Sequence, residues 1–152
     1  MKLTNKSEKI SYPEQHYIFI EKIGPFENTA MAAWQELHQV VSSSQVDAQK
    51  TGAMALFKIE PQMIYRAGFV YNKKPEIIPA GTQYFKFSGG SYAKYTLTGS
   101  YMHLPVAWGK VIDYATQENL QTRQDFYIEN YANDPTTTPE DQLISELMIP
   151  VK

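Results

Sequence analysis

The sequence predicts an α+β fold built from two similar modules, each made of a strand, a helix and two further strands. An apolar run, a glycine turn and a helix pattern with a tryptophan occur once in each half. Trp34 follows Gly24 by ten positions, and Trp108 follows Gly99 by nine. Segments that alternate apolar and polar residues come after each helix, which is typical of strands.

The two modules are expected to form one domain over residues 1–152. The 152 residues are 43% hydrophobic and 20% charged, which is enough apolar material for a packed core. The pseudo-repeats span about 12–74 and 82–151. Two such halves would form antiparallel sheet with helices packed on it and a ligand cleft between the halves.

The first module follows a polar segment, residues 1–13, which is either a tail or a first edge strand. The apolar run 17–20 predicts a strand that ends at Gly24. Asn28 or Thr29 can cap the helix that comes next and runs through residue 42. The apolar side chains of this helix keep a spacing of three or four positions and predict one buried stripe. They are Met31, Trp34, Leu37 and Val41.

Four segments complete the first module and lead out of it. The polar residues 42–51 predict a loop. Residues 53–59 and 63–71 predict two strands, because they alternate and are rich in aromatic and branched side chains. Residues 76–82 predict a segment that crosses between the halves.

The second module repeats this order. Residues 91–98 predict a strand that ends at Gly99, and a helix begins near Pro105, a residue suited to the first helical position. Residues 125–132 and 145–151 predict the two closing strands. The predicted buried stripe of this helix contains Leu104, Trp108, Val111, Ile112 and Ala115.

Composition argues against several classes of function. The formal net charge is -2 and no basic stripe is present, so we expect no binding of nucleic acid by the chain itself. There is no cysteine and no glycine-rich phosphate loop, and His16, His38 and His103 are isolated, so we expect neither a metal nor a cofactor. No apolar run approaches the ~20 residues that span a bilayer. With no apolar signal segment visible, we expect a cytoplasmic protein without membrane association.

One acidic residue between two tyrosines is the most informative local pattern. Side chains two positions apart on a strand project from the same face, so Tyr127, Glu129 and Tyr131 are predicted to lie together. Tyrosine combines an apolar body with a polar tip, which suits the lining of a ligand cavity. On this pattern alone, a solvated strand residue is the more ordinary explanation of Glu129.

Three segments near the end of the chain carry a more specific signal. They read Ile-Glu-Asn-Tyr-Ala-Asn-Asp-Pro at 128–135, Pro-Glu-Asp-Gln-Leu at 139–143 and Glu-Leu-Met-Ile-Pro-Val at 146–151. This pattern resembles the GyrI-like small-molecule-binding domain, also called the bacterial transcription activator effector-binding domain, which is related to the SOUL fold. The segments 97–101 and 65–70 resemble the same family more loosely.

The resemblance implies a ligand cleft with a buried glutamate at its centre, which here is Glu129. It also implies binding of small hydrophobic, often cationic, aromatic compounds, as in the sensing or sequestration of drugs and toxins. A lipophilic cation can compensate a buried carboxylate, and tyrosine faces attract it. We expect a monomer or weak homodimer. The candidate ligand-binding residues are Glu129, Tyr131, Tyr127, Trp34, Trp108, Tyr65, Tyr92, Tyr101 and Phe26.

Two residues depart from the family pattern. Asn130 replaces an apolar residue on the face opposite Glu129, where we expect the helices to pack, so its amide must find partners or lie near an edge of the sheet. Met148 replaces a tyrosine and is expected to give the pocket a softer wall.

Two alternatives to binding remain open. Some stand-alone GyrI-like proteins resemble hydrolases of strained electrophiles. In that case Glu129 is the general base on water, and Tyr131 is a proton donor or orienting group. The other alternative is a protein-interaction role such as modulation of DNA gyrase, from which the family takes its name.

Overall fold

The computed structural model describes all residues 1–152, which divide into two compact units. The central unit is Pro13–Gly89, and the terminal unit combines Met1–Tyr12 with Gly90–Lys152. The strands are β1 (Lys2–Leu3), β2 (Glu8–Tyr12), β3 (Gln15–Ile23), β4 (Gly52–Lys58), β5 (Ile64–Tyr71), β6 (Gln83–Phe87), β7 (Gly90–Thr98), β8 (Tyr127–Tyr131) and β9 (Ile144–Pro150). The helices are α1 (Phe26–Val41), α2 (Gln45–Gln49) and α3 (Leu104–Gln117).

The central unit contains the first predicted module. Its strands pair antiparallel in the order β4-β5-β3-β6, and α1 packs against β3 and β5. The predicted order of strand, helix, strand and strand is confirmed. The chain adds two elements to it. α2 lies within the predicted loop 42–51 and buries Val46, and β6 pairs with β3 beyond the predicted crossing segment.

The terminal unit contains the second predicted module. β7 pairs antiparallel with β1, β2 and β9, and β9 pairs with β8. The polar residues 1–13 therefore supply edge strands, one of the two predicted alternatives. One face of this sheet and α3 enclose a single apolar cluster, which includes Ala93, Tyr95, Leu97, Leu104, Ala107, Val111, Leu147 and Ile149.

Both helices are rotated relative to the predicted stripes. In α1 the buried residues are Thr29, Ala33, Leu37 and Val41, which recur every four positions. Met31 lies between them along the chain and is 71% exposed, so its predicted burial is wrong. In α3 the buried stripe includes Ala107, and Ile112 is 40% exposed. Each buried stripe contains a fully buried alanine, Ala33 in α1 and Ala107 in α3, which a count of large apolar residues does not detect.

A glycine with positive φ ends the first strand of each module. Gly24 has φ 129° and Gly99 has φ 134°, a backbone region that other residues rarely adopt. α1 then begins at Phe26, directly after Pro25, so the predicted caps Asn28 and Thr29 lie inside its first turn. The Thr29 hydroxyl donates a hydrogen bond to the Pro25 carbonyl at 3.1 Å instead of capping the helix.

None of the three helices combines the length and the apolar character that crossing a membrane would require. Among residues 1–152, no group of three or more histidine, cysteine, aspartate or glutamate side chains is arranged to hold a metal ion.

Candidate functional site

The candidate site lies in the terminal unit, where β8 and α3 face each other. Glu129 is in the middle of β8 and pairs in register with Leu147, a member of the core under α3. Tyr127 and Tyr131 lie two positions to either side and pack against the same core, so the predicted shared face is confirmed. Glu129 is only 8% exposed, which makes it a buried acid on an otherwise apolar face.

Two neutral donors hold the Glu129 carboxylate. The Trp108 indole Nε1 donates to Oε1 at 2.8 Å, and the Tyr131 hydroxyl donates to Oε2. No lysine, arginine or histidine among residues 1–152 forms an ion pair with it. Burial raises the pKa of Glu129, because it penalises the charged form, and the two hydrogen bonds oppose this effect only in part.

Aromatic rings surround this carboxylate. The Tyr101 and Tyr131 ring centroids are 5.2 Å apart, and the Trp108 and Tyr127 rings meet edge to face at 6.0 Å. The Tyr101 hydroxyl is buried without a hydrogen-bond partner, and the pKa of Tyr101 is raised by burial and by the nearby Glu129 and Asp134. We call Glu129, Trp108, Tyr131, Tyr101 and Tyr127 the Glu129 site.

A residue that the sequence did not single out lies beside the Glu129 site. Ser145 pairs in register with Tyr131, is fully buried, and has a hydroxyl without a hydrogen-bond partner. Ser145, Leu147 and Ile149 share one face of β9, and the other two are core residues. A serine among the apolar residues of one strand face is the sequence signal that could have identified Ser145.

The predicted candidates Trp34, Tyr65 and Phe26 form a separate cluster in the central unit. The Trp34 indole Nε1 donates to the Tyr65 hydroxyl at 2.8 Å, and the Phe26 ring centroid lies 5.7 Å from that of Tyr65.

The strand registers identify the counterpart of Glu129 in the central unit. Ile20 lies four residues before Gly24 and pairs with Ala67, and Tyr95 lies four residues before Gly99 and pairs with Leu147. Ala67 and Leu147 therefore match, and their partners on the next strand are Ala55 and Glu129. The tryptophan-to-acceptor bond thus occurs in both units, but only the terminal unit has an acid there.

Tyr92 is the one candidate that the terminal unit places elsewhere. It lies on β7 between Ser91 and Ala93, on the face opposite the core residue Ala93 and hence opposite Glu129. Its hydroxyl donates to the Phe126 carbonyl at 2.8 Å, and the Arg123 guanidinium lies 4.9 Å from its ring centroid. These contacts are those of a packed structural residue.

The expectations for Asn130 and Met148 need correction. α3 packs on the face of Glu129, because Trp108 reaches that carboxylate, and not on the face of Asn130. The Asn130 amide finds its partner in the Glu146 carboxylate at 2.8 Å on the opposite face. Met148 pairs with Ile128, next to Leu147 along β9, so it also lies on that opposite face and forms no wall of the Glu129 site.

Comparison with known proteins identifies the family and the fold. Residues 6–152 match the family described as the GyrI-like small molecule binding domain. A comparison with curated proteins finds no match. The structure of SAV2435 bound to tetraphenylphosphonium aligns with TM-score 0.77 and 16% identity, over 97% of this chain and 94% of that chain.

Two further solved structures share the fold. The C-terminal domain of EcmrR has TM-score 0.76 and 12% identity, with 100% of this chain and 99% of that chain covered. A hydrolase from Listeria innocua has TM-score 0.63 and 12% identity, with 98% and 93% covered. These likenesses confirm the predicted α+β fold.

Proposed function

The chain belongs to the family of GyrI-like small molecule binding domains, and from that premise we propose that it binds hydrophobic organic cations with Glu129 as the buried counter-charge. Sensing or sequestration of cationic drugs or toxins would both use such a site. The observation that carries the proposal is a buried carboxylate with two neutral hydrogen-bond donors and no ion-pair partner.

Electrostatics favours a cation as the missing partner. A buried acid that lacks a counter-charge shifts toward its protonated form, and the raised pKa of Glu129 expresses this shift. A hydrophobic cation can enter an apolar site without the desolvation cost of a lysine ammonium, because its charge is spread over a large organic surface. Once bound, it stabilises the ionised carboxylate.

The aromatic rings supply the second attraction. Tyr131 and Trp108 both donate to the Glu129 carboxylate, so a cation that reaches this acid also reaches two electron-rich rings. Tyr101 and Tyr127 extend the same surface on either side. A cation over an aromatic face gains about 0.5–2 kcal/mol per contact, depending on how far it is desolvated.

The central unit suggests how many cations the chain binds. Its corresponding cluster has Ala55 at the position of Glu129, and the Trp34 indole donates to a neutral phenol. That cluster offers apolar surface but no counter-charge. We therefore expect one cation per chain.

A structural neighbour supports the ligand class. SAV2435 has been solved with tetraphenylphosphonium, a large aromatic cation, and its fold aligns over nearly the whole of this chain. The same compound is the natural first probe here.

Calorimetric titration with two nearly isosteric ions of opposite charge tests the proposal. We expect tetraphenylphosphonium to bind with a stoichiometry of one and tetraphenylborate to bind at least about 10-fold more weakly, a difference of about 1.4 kcal/mol. Equal affinities for the two ions would show that the site recognises shape without charge.

Two matched variants locate the charge. Glu129→Gln keeps the shape of the side chain and should weaken tetraphenylphosphonium binding at least about 10-fold. Glu146→Gln removes a carboxylate from the opposite face of the same sheet, where it meets Lys94 and Asn130. The Glu146 variant should bind the cation like the wild type, and a similar loss in both variants would argue for a general charge effect.

A hydrolase is the second candidate, because the carboxylate with a raised pKa is in contact with a phenol. Glu129 would take a proton from water as the water oxygen attacks a ring carbon of a strained electrophile such as an epoxide. The ring C–O bond at that carbon would break, and Tyr131 would donate its proton to the released oxygen. A neighbour of this fold is named a hydrolase. Mass spectrometry should then show a hydrated product with wild type and none with Glu129→Gln. Unchanged epoxide after long incubation at high protein concentration would dismiss this candidate.

A further inference from the structure

A cavity of about 510 Å³ lies in the central unit, between α2 and the segment that follows β5. Its volume is within the range of about 300–1,000 Å³ that is common for small-molecule sites. None of its lining residues belongs to the Glu129 site. Val46, Pro75, Ile77 and Pro79 give it apolar walls.

Two hydroxyl groups of this cavity lack partners. Tyr71 is 2% exposed and its hydroxyl forms no hydrogen bond. The Ser44 hydroxyl is also buried and also forms no hydrogen bond. Both residues line the cavity. Buried polar groups are hydrogen-bonded in the great majority of cases, so two orphans at one cavity point to a missing acceptor. Burial and the charge of Asp47 raise the pKa of Tyr71 to about 12, which keeps the phenol protonated and able to donate.

The charges around the cavity favour an anionic acceptor. Lys73 and Lys74 line it, and neither forms an ion pair. The Lys74 ammonium lies 4.6 Å from the Tyr84 ring centroid. Glu76 is the one acidic lining residue. Asp47, on α2, is the acid whose charge acts on Tyr71, and it is paired with Lys50 at 2.7 Å. The lining therefore carries one more positive than negative charge.

We propose that this cavity is a second binding site, specific for a small organic carboxylate with an apolar body. The carboxylate oxygens accept hydrogen bonds from the Tyr71 and Ser44 hydroxyls. Lys73 and Lys74 supply a positive field, and the apolar body packs against Val46 and Pro75. The site shares no residue with the Glu129 site.

Fluorine NMR with three probes of one shape tests this assignment. The probes are 4-(trifluoromethyl)phenylacetate, the corresponding carboxamide and the corresponding phenethylamine. We expect the carboxylate to bind at least about 10-fold more tightly than the amide, the loss expected when a hydrogen-bonded charge is neutralised. We expect no binding of the amine at this cavity. Equal binding of all three probes, or of none, would overturn the proposal.

Variants and a map of the binding site complete the test. Tyr71→Phe removes only the orphaned hydroxyl and Ser44→Ala removes the other, and each should weaken carboxylate binding by about 10-fold. Glu129→Gln should leave it unchanged, so failure of the cation site and failure of this site are separable. In the wild type, amide shifts on adding the carboxylate should cluster at residues 44–49 and 71–79, and shifts confined to other residues would contradict the proposal.

Discussion

A single carboxylate distinguishes the two units of this molecule at the residue scale. Trp34 on α1 and Trp108 on α3 each donate the indole N–H to a sheet residue of their own unit. In the central unit the acceptor is the phenol of Tyr65, and in the terminal unit it is the acid of Glu129. The strand registers show that Ala55 occupies the position in the central unit that corresponds to Glu129 in the terminal unit. The same registers match Phe57 with Tyr131, so the central unit lacks both the acid and its phenol donor.

The two tryptophans make a matched pair of mutations. Trp108→Phe removes one of the two donors to a buried acid, so we expect a loss of about 1–3 kcal/mol in the free energy of unfolding. Trp34→Phe removes a bond between neutral groups and should cost about 0.5–1.5 kcal/mol. Urea denaturation measures both. A larger loss for Trp34→Phe would mean that the Glu129 carboxylate does not depend on Trp108.

The pH dependence of stability follows from the raised pKa of Glu129. Below the pKa of the unfolded chain, about 4.3, the acid is protonated in both states and the shift has no effect. Between that value and the raised folded-state pKa, the folded state holds more protons, so stability falls as pH rises. Glu129→Gln should remove this fall. Urea denaturation of both proteins over a pH series should show the wild type losing stability relative to the variant as pH rises. A difference in stability that does not change with pH would contradict the raised pKa of Glu129.

At the residue level, the sequence correctly predicted which side chains of one strand share a face. Tyr127, Glu129 and Tyr131 share a face because strand geometry fixes this alternation. It failed for Met148 and for the packing side of Asn130, because choosing the helix-bearing face requires knowledge of the partner strands. Whether the nine candidate residues contact a ligand remains a prediction.

At the scale of elements, a glycine with positive φ follows the first strand of each module. Gly24 and Gly99 follow the first strand with positive φ and lead into the helix that contains the tryptophan. α1 begins two residues after Gly24, whereas a short 3-10 helix, Tyr101–His103, separates Gly99 from the start of α3.

Glycine substitutions test this role with an internal control. Gly99→Ala forces a side chain into a backbone region with φ 134°, so we expect a loss of about 1–2 kcal/mol of stability. Gly109→Ala lies within α3, where an added Cβ meets nothing within 4 Å, and should gain about 1 kcal/mol. Thermal or urea unfolding distinguishes the two. A neutral Gly99→Ala variant would show that the turn tolerates other residues.

The order of the elements was predictable because glycine and proline turns and the spacing of apolar residues can be recognised within short segments of sequence. Most strands and both long helices fall within a few residues of their predicted positions. α2 and β6 were missed for different reasons. α2 has only five residues and one buried side chain, too few to show a period. β6 is an edge strand that pairs only with β3 and has one buried residue, so its sequence needs little apolar alternation.

At the scale of the whole molecule, the terminal unit is assembled from both ends of the chain. β2 pairs with β7 from Glu8 to Tyr12, and the Ser7 amide donates to the Glu118 carboxylate at 3.0 Å. The same carboxylate accepts a hydrogen bond from Tyr95 at 2.5 Å, which links the N-terminal segment to a strand of the core. The sequence could not predict this pairing, because a polar edge strand has no apolar face of its own.

Removal of residues 1–12 tests this assembly. We expect amide hydrogen exchange to accelerate along β7, whose edge loses its partners, while β5 in the central unit keeps its protection. Exchange measured residue by residue by NMR would show this contrast. Equal acceleration in both strands would mean that the two units lose their stability together.

The central claim is that Glu129 is a buried acid whose counter-charge arrives with the ligand. Carbon NMR of protein labelled at the glutamate Cδ, with Glu129→Gln to assign the signal, measures its pKa directly. We predict that the pKa in the free protein is raised above that of an ordinary glutamate, and that it falls clearly when the site is saturated with tetraphenylphosphonium, because the cation stabilises the ionised form. A pKa that does not change when the cation binds would contradict the account.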